Sequence, residues 1–131
     1  MSRITQWMDR VWYPNHLKNW DDHLFRTEIT QLLRPDMTVL DLGAGAGIVA
    51  QMNFRGLAAR VCGVDLDARV VDNPFLDEGR VSDAGEIPYE SECFDLVFSD
   101  NVLEHLDQPA LVFREVARVL KPIPLHTTHS T

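Results

Sequence analysis

A glycine-rich turn between a strand-like run and a helix-like run constrains the fold of this chain more than any other sequence feature. Residues 38–42 read TVLDL, a short apolar strand pattern, and GAGAG follows directly over 43–47. Alternating glycines let the backbone turn tightly and approach a ligand without side-chain obstruction. We expect a helix over 48–54, whose first amides would point at the same place. A tight turn without a ligand is the alternative interpretation, since glycine patterns also arise by chance.

Three further strand-like runs follow the turn, and helical segments separate them. The runs cover residues 60–65, 80–83 and 94–99. A helical period over 19–33 precedes the turn, and another begins near Pro109, whose fixed φ suits a first helical turn. Near-continuous apolar strands that alternate with helices indicate a parallel sheet covered on both faces. We therefore predict an α/β fold with a Rossmann-like, doubly wound and mostly parallel sheet.

The chain of 131 residues suits a single domain with one hydrophobic core. We expect this core over 19–121, between an N-terminal aromatic arm over 1–18 and an irregular tail over 122–131. The two cysteines are too few for a disulfide scaffold. No stretch approaches the roughly 20 apolar residues of a membrane span. These features favour a soluble, cytoplasmic protein.

The charge distribution limits the partners of the chain. The net charge is −8, which disfavours binding to nucleic-acid backbones and to anionic membrane surfaces. Residues 65–107 carry 13 of the 20 acidic side chains, with only Arg69 and Arg80 as bases. A solvated acidic face explains most of these acids. The alternative for the rest is a cleft of negative potential that favours a cationic small molecule.

Two acidic residues near the turn indicate a nucleoside site. Asp41 lies within a strand expected to be buried, where an unsatisfied carboxylate is costly. Asp65 ends the second strand, where an acid of a doubly wound fold accepts hydrogen bonds from both ribose hydroxyls. A dinucleotide-binding oxidoreductase would need a glycine three residues after Gly45, and the chain has Ile48 there. Hydride chemistry is therefore disfavoured.

Several blocks of the sequence resemble the class I S-adenosylmethionine-dependent methyltransferases, most closely the small-molecule methyltransferase type 11 group. They lie in family order within residues 37–122: VLDLGAGAG at 39–47, GVD at 63–65, SDA at 82–84, FDLV at 94–97, NVLEHL at 101–106 and REVARVLKP at 114–122. The resemblance implies S-adenosylmethionine as cofactor, S-adenosylhomocysteine as product and a strand order of 3-2-1-4.

The resemblance also implies roles for residues around the turn. Asp41 would hold the amino group of the methionine portion, directly or through water. The backbone at Gly43, Ala44 and Gly45 would lie against the methionine and ribose portions. Asp65 would bind the ribose hydroxyls.

The resemblance implies further residues at the adenine end and at the sulfonium end of the cofactor. Leu66 would pack on one face of the adenine, and Asp83 would accept a hydrogen bond from its exocyclic amine. The Ala84 amide would donate to a ring nitrogen. Residues 99–101, including Asn101, would line the sulfonium end with backbone and side-chain oxygens.

No catalytic residue or metal site is evident from the sequence. His105, which follows the fourth strand, is the best candidate for a general base, ahead of Tyr13 and His16, although a structural role is the more common one for such residues. Some family members bind a divalent metal through an ExxEH pattern. Here Asn101 replaces the first Glu, so no metal site is expected.

The chain departs from the family pattern after Pro122, and we expect the later strands of the family's sheet to be missing. We expect a methyltransferase half with strand four at an open edge and its apolar faces uncovered, which invites self-association. Two functions follow as hypotheses. The first is methyl transfer to a small-molecule acceptor. The second is binding of S-adenosylmethionine or S-adenosylhomocysteine without catalysis, by a module or a truncated relic.

Overall fold

The computed structural model describes residues 18–99 and 108–122. Six regular elements lie in these two ranges, and one-turn 3₁₀ segments follow β1 and β2. In chain order the six elements are α1 (Lys18–Leu32), β1 (Thr38–Leu42), β2 (Arg60–Asp65), β3 (Glu78–Val81), β4 (Leu96–Phe98) and α2 (Pro109–Val119).

The four strands form one parallel sheet in the order β3-β2-β1-β4. This order confirms the predicted doubly wound arrangement. The register places Asp41 of β1 opposite Gly63 of β2, and Asp65 opposite Val81 of β3. Because all strands run the same way, their carboxyl ends lie along one edge of the sheet.

β1, β2 and β4 are largely buried on both faces, which explains their near-continuous apolar sequences, whereas the last two residues of the edge strand β3 are exposed. Successive residues of a strand point to opposite faces, so Val39 packs with α1 and Leu40 packs with α2. Both side chains have no exposed surface. The two helices therefore cover opposite faces, as the sequence predicts for this fold class.

Aromatic packing anchors α1 to the sheet. Phe98 of β4 makes edge-to-face contacts with Phe25 of α1 and Phe54, with ring centroids 6.1 and 5.2 Å apart respectively. Each of these rings is essentially unexposed, and burial of one such side chain stabilises the fold by about 2–3 kcal/mol. Arg26 adds hydrogen bonds from Nη1 to the carbonyl oxygens of Gln51 and Asn53. α1 thus also fixes the segment that follows the glycine turn.

The helix predicted over 48–54 is absent. A single 3₁₀ turn, Ala50–Met52, occupies the segment, with extended residues on both sides. A segment of this length lies below the about 12 residues at which a helix becomes even marginally stable without packing. Little packing is available, because Ile48 is 78% exposed and only Phe54 is fully buried.

Two strands also differ from their predicted bounds. β3 begins and ends two residues earlier than predicted, because Ser82 and Asp83 belong to a turn in which Asp83 Oδ1 accepts from the Gly85 N–H. β4 is shorter than predicted because Phe94 pairs with Leu120 instead of β1. The local apolar pattern does not distinguish between these partners.

β4 lies at the edge of the sheet, as predicted, and Phe94, just before β4, has a partner on another segment. Leu120 forms a parallel bridge with Phe94, and the Lys121 N–H donates to the Phe94 carbonyl oxygen over 2.9 Å. The apolar side chains of β4 are not exposed, because α1 and α2 cover both faces and leave Leu96, Val97 and Phe98 at most 6% exposed. The expectation of uncovered apolar faces is therefore wrong, and self-association through this edge stays a prediction.

Several predicted features lie outside the described residues. They are the arm over 1–17 and the tail over 123–131, together with Asn101, Glu104 and His105. In the ranges that the structure covers, no helix is long and apolar enough to cross a membrane. Within those same ranges, His, Cys, Asp and Glu side chains form no group of three or more that could hold a metal ion.

Candidate functional site

Three aspartates lie along the carboxyl edge of the sheet. Asp41 is the fourth of the five residues of β1, Asp65 is the last residue of β2, and Asp83 lies two residues beyond the end of β3. Neighbouring strands of a sheet are about 4.8 Å apart, and β1, β2 and β3 are neighbours. The sheet therefore brings together three carboxylates that are separated by up to 42 positions in the sequence.

The glycine turn folds back onto the end of β2. Gly43, Gly45 and Gly47 have φ values of 83°, 65° and 77°, a left-handed region that L side chains rarely adopt. The N–H groups of Gly43 and Ala44 both donate to the Val64 carbonyl oxygen, over 2.8 and 3.1 Å. The turn is thus pinned to the last residues of the neighbouring strand.

Asp65 faces the same turn. Its Oδ2 accepts from the Gly45 N–H over 2.8 Å, and its Oδ1 accepts from the Asp67 N–H over 2.9 Å. A carboxylate oxygen can accept a second hydrogen bond, so both oxygens keep capacity for a ligand. The predicted proximity of the turn and Asp65 is therefore present in the structure.

These bonds decide which ligands suit the turn. Glycine loops that cradle phosphates do so with free backbone N–H groups. Here the N–H groups of Gly43, Ala44 and Gly45 all have protein acceptors. The turn presents a carboxylate instead, so it suits hydroxyl groups or a cation better than a diphosphate.

The charge beside Asp65 is balanced locally. Arg69 binds Asp67 through its Nη2, 2.7 Å from Oδ2, and the hydrogen bonds from Arg69 lower the pKa of Asp67 to about 2. The positive charge of Arg69 is therefore paired with Asp67. The other carboxylates of the edge keep their negative potential, which favours a cationic ligand.

The end of β3 supplies a second part of the edge. Asp83 Oδ1 accepts from the Gly85 N–H over 3.0 Å, which orients the carboxylate at the start of the turn that contains Ala84. Leu66, directly after Asp65, is 71% exposed. An exposed leucine beside polar groups offers an apolar surface to a flat ligand. The structure thus places Leu66, Asp83 and Ala84 at the edge that the sequence predicts.

Asp41 and Ser99 lie deeper. Asp41 is 5% exposed and lies on the same face of the sheet as Val39. Ser99 is fully buried, and its hydroxyl donates to the Leu42 carbonyl oxygen over 2.7 Å. The Ser99 hydroxyl thus links the end of β4 to the end of β1 by a hydrogen bond, and its proton is not available to a ligand.

Sequence analysis missed Asn73, which contacts the glycine turn. Its amide nitrogen donates to the carbonyl oxygens of Ala44, over 3.3 Å, and Gly45, over 3.1 Å. Asn73 is only 6% exposed. The dipeptide Asn73-Pro74 indicates a turn, but no local pattern relates it to residues almost 30 positions earlier.

The sequence of this chain is similar to a known domain family and to curated proteins. A family model described as "Methyltransferase domain" matches residues 40–123. Among curated proteins, the ubiquinone biosynthesis O-methyltransferase of Paraburkholderia phytofirmans is 35% identical over 94 residues, which cover 65% of this chain and 40% of that protein. The chain thus spans well under half the length of this relative.

Solved structures with the same fold include enzymes of different named activities. Phosphoethanolamine N-methyltransferase 2 of Haemonchus contortus, in complex with phosphomonomethylethanolamine and S-adenosylhomocysteine, has a TM-score of 0.62 and 26% identity; the match covers 79% of this chain and 26% of that one. The [4+2]-cyclase SpnF has a TM-score of 0.66 and 25% identity, over 80% of this chain and 43% of that one.

Proposed function

Because this chain belongs to the methyltransferase domain family of class I S-adenosylmethionine-dependent enzymes, we propose that it forms the cofactor-binding part of a methyltransferase for a small-molecule acceptor. The observation that carries the proposal is the contact between the Gly45 N–H and Asp65 Oδ2. This contact joins the glycine turn to the carboxylate that we propose to bind the ribose.

The residues present fit S-adenosylmethionine. At neutral pH this cofactor carries a sulfonium and an ammonium group against one carboxylate, so it is a net cation. The three aspartates of the sheet edge suit such a charge, and the amides of Gly43, Ala44 and Gly45 already have protein acceptors, so they do not require a phosphate. The exposed Leu66 supplies the apolar surface that an adenine ring needs.

The methionine and ribose portions are assigned to the ends of β1 and β2. Asp41 would hold the ammonium group, directly or through water, and the backbone of Gly43, Ala44 and Gly45 would lie against the ligand. Asp65 would accept from the two ribose hydroxyls, one on each carboxylate oxygen. Its two backbone donors already fix the orientation of the carboxylate.

The adenine portion is assigned to the loops after β2 and β3. Leu66 would pack on one ring face. Asp83 would accept a hydrogen bond from the exocyclic amine through Oδ2, because its Oδ1 already accepts from the Gly85 N–H. The Ala84 amide would donate to a ring nitrogen. Asn101, beyond the described residues, is assigned to the sulfonium end.

Catalysis by this chain would rest on positioning. When bound, S-adenosylmethionine supplies an activated methyl group on a positively charged sulfur. The protein has to orient that group toward the acceptor atom and to exclude water, which together account for much of the rate in such reactions. His105 remains the candidate base for an acceptor that needs deprotonation. The Paraburkholderia phytofirmans relative is named an O-methyltransferase, which supports a hydroxyl group as the acceptor.

The compartment that we propose for this chain is the cytoplasm.

Isothermal calorimetry with S-adenosylmethionine tests the proposal. We expect measurable binding by the wild-type chain and a loss of at least about tenfold for Asp65→Ala, since two hydrogen bonds are removed. Asp77→Ala is the matched control, because Asp77 caps the Val61 N–H at the opposite end of β2. Equal affinities for wild type and Asp65→Ala would refute the ribose assignment.

Turnover separates the two functional hypotheses. A panel of hydroxylated aromatic and quinol-like acceptors with S-adenosylmethionine should yield S-adenosylhomocysteine if the chain is catalytic. Binding by the wild-type chain without product on any acceptor would favour the non-catalytic binding module.

A further inference from the structure

A buried asparagine holds the glycine turn on the side opposite Asp65. The Asn73 amide nitrogen donates to the carbonyl oxygens of Ala44 and Gly45, and the Gly45 N–H donates to Asp65. Gly45 is therefore held at both ends of its backbone, by Asn73 at the carbonyl and by Asp65 at the amide. The position of Gly45 affects Asp65 directly, because the two share a hydrogen bond.

Asn73 is itself held in one orientation. Its side-chain oxygen accepts from the Phe75 N–H over 2.8 Å, and its own N–H donates to the Val70 carbonyl oxygen over 3.2 Å. Pro74 follows and restricts the Asn73 backbone to extended conformations, as observed with ψ 115°. Both ends of the amide group thus have partners, and the amide is fixed before any ligand binds.

Close packing adds to these bonds. A Cβ atom on Gly47 would collide with Asn73 Oδ1 and would lie 2.9 Å from Pro74 Cδ. The Asn73 side chain therefore fills the space beneath the last glycine of the turn. It contacts the turn through hydrogen bonds at Ala44 and Gly45 and through packing at Gly47.

We infer that Asn73 is a positioning residue for the cofactor: it holds the glycine turn so that Gly45 keeps the Asp65 carboxylate aimed at the ribose hydroxyls. This inference rests on the function proposed above. Asn73 acts through Gly45, and it has no assigned contact with the ligand. Without the amide donor, the partly buried carbonyls of Ala44 and Gly45 lose this hydrogen bond, and the turn relaxes.

A double-mutant cycle with S-adenosylhomocysteine tests the inference. Asn73→Asp keeps the shape and the acceptor for Phe75, but it replaces the amide donor with an oxygen that repels both carbonyls. We expect a loss of at least about tenfold in affinity in the wild-type background and less than about threefold in an Asp65→Asn background, since coupled residues are not additive. Equal losses in the two backgrounds would overturn the inference.

A control variant separates positioning from simple destabilisation. Asp77→Asn also changes a side chain that caps a backbone N–H, but Asp77 contacts Val61 and Arg55 at the amino edge of the sheet. Affinities are compared where urea titration shows each variant to be folded. We expect Asp77→Asn to bind within about twofold of wild type. An affinity loss equal to that of Asn73→Asp would show that destabilisation alone explains the effect.

Amide hydrogen exchange in the ligand-free protein supplies a second readout, which does not depend on binding. We expect Asn73→Asp to increase the exchange rate of the Gly45 amide by at least about tenfold, and Asp77→Asn to leave it unchanged. If wild type does not bind S-adenosylhomocysteine, the proposed function fails and the role of Asn73 in cofactor positioning fails with it, and the exchange rate then shows only whether Asn73 holds the glycine turn. Unchanged exchange in Asn73→Asp would overturn the inference.

Discussion

Gly47 and Gly56 show how the same backbone conformation has different consequences in different surroundings. Both residues have positive φ values, 77° and 89°. A Cβ atom on Gly47 would collide with Asn73 and Pro74, whereas one on Gly56 would have nothing within 4 Å. Gly47 is therefore required by both conformation and space, and Gly56 by conformation alone.

Alanine substitutions should separate these two effects. A left-handed conformation costs an L residue about 1–2 kcal/mol, and overpacking adds about 1–3 kcal/mol. We expect Gly56→Ala to lower the free energy of unfolding by about 1–2 kcal/mol and Gly47→Ala by about 2–5 kcal/mol. Urea denaturation measures both, and losses of equal size would show that the contact with Asn73 is not rigid.

The two thiols should be slow to react in the folded protein. Cys62 is 1% exposed, Cys93 is half-buried, and neither forms a disulfide. Burial raises the pKa of both thiols above the usual value of 9.0. At pH 7 the reactive thiolate is therefore scarce, and its amount grows as the pH rises. We expect 5,5′-dithiobis(2-nitrobenzoate) to modify Cys93 before Cys62, and both rapidly in urea; a fast reaction of Cys62 in buffer would contradict its burial.

At the scale of elements, two charged residues that form an ion pair within α2 attach this helix to the loop after β3 by hydrogen bonds. Arg118 Nε lies 2.7 Å from Glu115 Oε2, and Glu115 Oε1 accepts from the Ile87 N–H over 2.9 Å. Arg118 also donates to the carbonyl oxygens of Ile87 and Tyr89. These bonds fix the loop over 87–91 against the helix, next to the strand end that carries Asp83.

Glu115 should make stability depend on pH. Hydrogen bonds from Arg118, above all, lower the pKa of the Glu115 carboxyl. Since the folded-state pKa lies below the unfolded one, the stabilisation is complete above an unfolded pKa of about 4.3 and is lost as pH falls through the folded value. We expect Glu115→Gln to destabilise the fold by about 1–2 kcal/mol at pH 7 and to flatten stability between about pH 5 and pH 3.

Thermal or urea unfolding at several pH values checks this expectation. Glu86→Gln is the matched control, because Glu86 is exposed. If the free energy of unfolding of Glu115→Gln falls at acidic pH as steeply as that of wild type, other carboxylates cause the loss of stability.

At the scale of the whole molecule, the electrostatic field should distinguish the cofactor from its product. The chain has a net charge of −8, and three carboxylates lie along the carboxyl edge of its sheet. S-adenosylmethionine carries one positive charge more than S-adenosylhomocysteine. The field therefore favours the cofactor, and salt screens this preference.

Calorimetry at two salt concentrations measures the effect. Between about 0.05 and about 0.5 M sodium chloride, we expect affinity for S-adenosylmethionine to fall by roughly two- to fivefold and affinity for S-adenosylhomocysteine to change less. An equal response of the two ligands would place the sulfonium outside the field of these carboxylates.

The sequence by itself determined the fold class and the meeting of the glycine turn with Asp65. These features follow from local patterns: apolar runs define buried strands, alternating glycines define the turn, and the topology of a doubly wound sheet brings the strand ends together. The strand order and the candidate role of Asp83 came from the resemblance of the sequence to class I methyltransferases.

Only the tertiary structure decided the features that depend on distant partners. Residues 48–54 lack a helix because no packing surface compensates for their short length. Ser99 donates to Leu42, which lies 57 positions earlier, and Asn73 donates to Ala44 and Gly45, which lie 29 and 28 positions earlier. Hydrogen bonds at such separations leave no periodic signal in the sequence, because each forms only after the strands have been brought together.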